Sequence, residues 1–145
     1  MNPYIKITIT TFTTWMLCAM INGLLSGTYM FFANHHFGEW PSVILIIFFL
    51  SLFFSAPGFF IFWIVLLISF ARWNEERALF RIALSTGFSL GLITGILCSK
   101  IFKNEFPKGE YLLVVFVILS AMTGIIMHFN HFKIIKYKRN ENTAS

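Results

Sequence analysis

The sequence predicts an all-α, polytopic membrane protein, an up-down bundle of four transmembrane helices. Composition is the first reason. Of 145 residues, 57% are hydrophobic, 19% aromatic and only 12% charged, with a mean hydropathy of +0.76; a soluble domain is about a quarter charged. A chain of this length makes one domain, and 19 Phe on a soluble one would leave large apolar patches in water. The second reason is spacing: four stretches lack Asp, Glu, Lys and Arg, save Arg81 near the start of the third, for the roughly 20 residues that a bilayer crossing needs. Small residues recurring at helical intervals are the third. Together these exclude a soluble enzyme, a nucleic-acid-binding module and a disordered tail.

Residues 1–11 read as an N-terminal cytoplasmic segment carrying Lys6, and 12–33 as the first span. A cleaved signal peptide is the alternative, but the apolar run is too long and no small-x-small site follows it, so the span is expected to stay. Asn22 is the polar residue at depth, with Ser26 one turn later; a hydrogen bond across helices is expected of them. Ala19, Gly23 and Gly27 form a short strip of small side chains.

The second span, 41–71, would be about 46 Å long as a helix. Pro57-Gly58 divides it into pieces too short to cross alone, so one helix kinked at Pro57 is expected. A re-entrant break at Ala56-Pro57-Gly58 is the alternative. Phe48, Phe49, Phe53, Phe54, Phe59, Phe60 and Phe62 crowd this span. They read as lipid-facing filler, with a lipid-tail or quinone site as the sharper reading.

The third span, 78–99, keeps Arg81 in its first turn. Ala83, Gly87, Gly91, Gly95 and Ser99 recur every four residues, a glycine-zipper pattern that lets another backbone approach closely. Its partner is either a helix of the same bundle or a second subunit. The fourth span, 111–132, carries Ser120 and Gly124 at the same interval. Short connections make successive helices antiparallel neighbours. Residues 133–145 form a basic cytoplasmic tail.

Lys and Arg placement sets orientation. With the N-terminus cytoplasmic, Lys6, Arg72, Arg77, Arg81, Lys133, Lys136, Lys138 and Arg139 lie inside, eight against Lys100, Lys103 and Lys108 outside. Both termini are therefore expected in the cytoplasm of a cell whose plasma (inner) membrane holds the protein. Trp40 and Tyr111 would mark the outer interface, Trp15 and Trp73 the inner one. Arg72, Arg77, Arg81, Lys133, Lys136, Lys138 and Arg139 would meet anionic lipid headgroups, each worth about 1 kcal/mol. Glu75 and Glu76 would pair with Arg72 and favour the start of the third helix.

No chemistry can be assembled from the remaining groups. Every acid is Glu, so carboxylate dyads and Asp-ligated Mg²⁺ have few candidates. Cys18 and Cys98 are lone packing residues without a CxxC. His35-His36 and the pair His128 and His131 fall on opposite sides of the membrane and cannot share an ion. No metal, cofactor or nucleic acid is expected. The function these features favour is non-catalytic: assembly through helix-helix contact with itself or with a membrane or cytosolic protein partner, in an accessory, sensor or immunity-type role. The runner-up is a homo-oligomeric channel or membrane-permeabilising effector packed through the third helix, with Ser85, Ser89 and Thr94 along its path. Third comes a lipid- or quinone-handling enzyme acting through His128 and His131.

Overall fold

The computed structural model describes residues 2–34, 40–72, 76–101 and 110–128, and all four segments are helical. In chain order they are α1 (Pro3–Asn34), α2 (Trp40–Arg72), α3 (Glu76–Ile101) and α4 (Glu110–Met127). Three are long and apolar enough to cross a membrane: Tyr4–Phe32, Trp40–Arg72 and Ala78–Ile101. The apolar part of α4, Tyr111–Met127, is shorter; residues 129–132 of the expected fourth span lie outside the described residues.

α1 runs on through residues read from the sequence as a separate N-terminal segment, and its cap explains why. The Tyr4 amide donates to Asn2 Oδ1 at 3.0 Å, and the Ile5 and Lys6 amides donate to the Asn2 carbonyl at 3.1 and 3.2 Å. Asn is a strong N-cap, and Pro3 occupies the first helical position, where its missing N–H costs nothing. The threonines that follow, poor helix formers in water, satisfy their hydroxyls locally. Thr8, Thr11 and Thr14 donate to the carbonyls of Tyr4, Ile7 and Thr10 at 2.9, 2.7 and 2.7 Å. A threonine-rich turn can thus enter an apolar environment with no stranded donor.

α2 is one continuous helix of 33 residues with Pro57 inside it. The re-entrant alternative does not occur.

Contacts along neighbouring helices run in opposite senses. On α1 and α2, Gly27 lies against Ile44 and Gly23 against Phe48, Trp15 against Ser55, and Tyr4 against Phe70. On α3 and α4, Gly95 faces Val114, Gly91 faces Ile118, and Gly87 faces Ile125. α1 meets α4 through Cys18 and Gly124 and through Tyr29 and Phe116. Each helix touches two others, α1/α2 and α3/α4 most extensively and α2/α3 least. One end of the bundle is closed by an apolar cluster of Ile7, Phe62, Leu66, Phe70, Leu79, Ala83 and Ile125.

Candidate functional site

Beyond that cluster the four helices line a cavity of about 410 Å³. Its volume lies within the range of ordinary ligand pockets, roughly 300–1,000 Å³. α1 contributes Thr14, Trp15, Cys18, Asn22 and Ser26 to its wall; α2 contributes Leu50, Ser51, Phe54, Ser55, Gly58 and Phe59. Gly87, Gly91, Thr94 and Cys98 of α3 and Val117 and Ser120 of α4 complete it.

The polar side of the wall is a hydrogen-bonded chain on α1 and α2. Asn22 Nδ2 donates to Ser51 Oγ at 2.8 Å, and Ser26 donates to Asn22 Oδ1 at 3.0 Å. Ser51 gives its own proton to the Ile47 carbonyl at 2.7 Å. Ser51 must therefore accept from Asn22, which fixes the orientation of the amide. One turn along, Trp15 Nε1 donates to Ser55 Oγ at 2.8 Å, while Ser55 donates to the Ser51 carbonyl. The expected cross-helix bond of Asn22 is thus present, with Ser51 as the partner that sequence reading did not name. Ser51 and Ser55 are four apart on α2, and that spacing beside an Asn on α1 was the available signal.

Two further indoles bridge the same seam. Trp63 Nε1 donates to Thr8 Oγ1 at 3.0 Å and Trp40 Nε1 to Thr28 Oγ1 at 3.4 Å. Thr8, Trp15 and Asn22 are spaced by seven, two helical turns, so the bonds recur along one stripe of α1. Trp15, expected near the inner interface, stands on the cavity wall. α1 begins at Pro3, which places Trp15 about 18 Å into the helix, stacked on Phe59 with ring centroids 4.7 Å apart. The side chain of Trp73 lies outside the described residues, whereas Trp40 and Tyr111 are exposed at the first turns of α2 and α4.

The small-residue positions are taken up within the chain. A Cβ built on Gly27 would sit 2.9 Å from the Ile44 backbone, and one on Gly23 3.1 Å from Phe48 Cβ. On Gly95 it would meet the Val114 backbone at 3.0 Å; on Gly91 it would meet Ile118 at 3.4 Å; on Gly87 it would run into Ile125. Ala83 is fully buried in the closing cluster and Ala19 is buried as well. Ser99 turns its hydroxyl back to the Ile96 carbonyl at 2.9 Å. Gly124 gives the space that Cys18 Sγ fills, and Cys18 and Cys98 are both free thiols.

Ser85 and Ser89 lie on the exposed face of α3, whereas Thr94 lines the cavity. These three do not share a path. The α2 phenylalanines also divide: Phe49 and Phe53 are 64% and 75% exposed, Phe54 and Phe59 line the cavity, and Phe62 is buried. Arg72 and Arg81 are exposed. Lys133, Lys136, Lys138, Arg139, His35, His36 and His131 lie outside the described residues, as does the side chain of Arg77. His128 Nδ1 sits 3.2 Å from the Gly124 carbonyl at the end of α4. Among the described residues, no three His, Cys or acidic side chains gather as a metal site would require.

Among the described residues the wall is hydrocarbon with one amide, one indole, a few hydroxyls and two thiols, and it includes no Lys, Arg, His or Glu. Comparison with protein-family models, curated proteins and solved structures finds no match to this chain.

Proposed function

We propose that the chain is an integral protein of the plasma (inner) membrane, its four helices crossing as an up-down bundle with both termini cytoplasmic, and that it acts without catalysis, as an assembled binding or accessory unit. The observation that carries this reading is the inversion of polarity. Thr10, Thr11, Thr14, Ser26, Ser69 and Ser120 are buried while Phe32, Phe49, Phe53 and Ile68 are exposed. Lipid is the solvent in which that distribution is stable, because apolar side chains cost nothing outside and hydroxyls find their partners inside. In water the same surface would aggregate.

The non-catalytic part rests on the wall of the cavity, where among the described residues no titratable base stands beside the serines. Assembly with a partner would use the outer faces, since the glycines of α1 and α3 already serve contacts inside the chain. A self-assembled channel is the second reading, and the exposed Ser85 and Ser89 on α3 favour it. Copies would meet over those hydroxyls rather than over Gly87, Gly91 and Gly95. The arginines of the α2–α3 turn and the basic tail would meet anionic headgroups.

Resistance to alkaline carbonate extraction, combined with reporters of cytoplasmic and periplasmic location fused to each end, tests the placement. Retention in the membrane with cytoplasmic signal at both ends is expected; extraction, or ends on opposite sides, defeats the proposal. Native mass spectrometry in nanodiscs decides the second reading, since a discrete ring lost in Ser89→Leu would put the channel first.

A further inference from the structure

We infer that the interhelical cavity binds one neutral, single-chain lipid, whose hydrocarbon chain enters from the bilayer between α2 and α3 and whose uncharged hydroxyl or carbonyl head reaches Asn22. This rests on the membrane placement proposed above.

The entrance is visible in the exposure of the wall itself. Ile46 and Leu50 line the cavity yet are 59% and 38% exposed, so the space reaches the surface along the N-terminal half of α2. Its neighbour on that side is α3, and α2/α3 is the least extensive of the four helix contacts. The two helices meet at Gly58, whose built Cβ comes 3.9 Å from Thr94 Oγ1 and 4.0 Å from Leu90, and then through the closing cluster. Between Gly58 and Trp40 the seam admits hydrocarbon. A lateral mouth in apolar surface selects a ligand that already lies in the bilayer.

Size and chemistry narrow the class. An apolar cavity of about 150 Å³ holds a benzene ring, and this one measures about 410 Å³, enough for one chain segment and a small head. Among the described residues no charged side chain lines it, so a phosphate or carboxylate would be stripped of water without a counter-ion. A neutral head finds what it needs at Asn22. The amide carries two N–H donors and two acceptor lone pairs; one donor goes to Ser51 and one lone pair takes the Ser26 proton. One donor and one acceptor position are left on a side chain that lines the cavity, the pair that a hydroxyl or an ester carbonyl would use. Cys98 stands on the α3 wall and can report occupancy.

The test uses the full chain with Cys18→Ala in phosphatidylcholine nanodiscs, titrated with 1-monooleoylglycerol, oleate or oleoyl-lysophosphatidylcholine. The rate of Cys98 alkylation by N-ethylmaleimide is the readout. Monooleoylglycerol is expected to slow alkylation about tenfold at saturation, with the two charged-head amphiphiles leaving it within about twofold. Asn22→Leu should raise the half-effective concentration about tenfold, the worth of a lost polar contact in an apolar site. Thr94→Phe, which fills the cavity from the α3 wall, should remove the monooleoylglycerol adduct seen by native mass spectrometry. Equal protection by all three amphiphiles, an unchanged titration in Asn22→Leu, or an adduct that survives Thr94→Phe would each overturn the inference. Wild-type protein that resists carbonate extraction but shows no protection defeats this site alone; protein released by carbonate defeats the membrane placement first.

Discussion

A glycine in this bundle is defined by what a side chain there would strike. At Gly27 the obstacle is the Ile44 backbone at 2.9 Å, which no rotamer change can move, so Gly27→Ala should destabilise by about 1–3 kcal/mol. At Gly58 the nearest atoms are 3.9 and 4.0 Å away and belong to side chains. Gly58→Ala should therefore be neutral, or stabilising by up to about 1 kcal/mol through helix propensity. Unfolding in a detergent titration compares the two, and equal costs would show that the spacing around them is not what matters. Asn22 and Ser51 make the second residue-scale case. Interhelical hydrogen bonds in lipid average about 0.6 kcal/mol and reach about 1.7 kcal/mol. A double-mutant cycle of Asn22→Leu and Ser51→Ala should return a coupling energy in that range, and a value near zero would mean that the 2.8 Å contact contributes only geometry. Ser51 was not legible as a partner because it is one of several span serines, and only the register of α1 on α2 selects it.

Among the elements, α1 is where sequence and structure part most. The sequence reading opens the first span at residue 12, inside the threonine run, whereas the helix begins at Pro3 behind the Asn2 cap. The Asn-Pro pair is a readable helix start, but the span was bounded by hydropathy, which does not locate a cap. Trp15 stands on the cavity wall, a placement that span counting does not reveal. α2 was legible throughout, since its pieces on either side of Pro57 were too short to stand alone. The partner of the α3 strip was not legible: a periodic row of glycines specifies close approach and says nothing of which helix approaches. Along the α1/α2 seam, Trp63→Phe and Thr8→Val each break the same 3.0 Å bond. Each should cost about 1 kcal/mol, and the double variant should cost less than their sum. Strict additivity in the same unfolding assay would mean that the indole and the hydroxyl act separately.

For the whole molecule, the four helices and their order were legible from hydropathy and loop length, whereas the cavity was not. An internal space depends on how far neighbouring axes diverge, and that follows from side-chain volumes at contacts separated by tens of residues. The closing cluster of Ile7, Leu66, Phe70 and Leu79 and the light α2/α3 seam produce it jointly. That unevenness also bears on how the chain reaches its native state. The heavily packed pairs are the two sequential ones, α1/α2 and α3/α4; each joins neighbours in the chain and can form as soon as its second member leaves the ribosome. Biogenesis would then proceed as two hairpins, inserted one after the other and docked through the lighter α1/α4 and α2/α3 contacts. The polypeptide should accordingly survive being divided: residues 1–74 and 75–145, translated from separate messages in one cell, should find each other in the bilayer and co-purify.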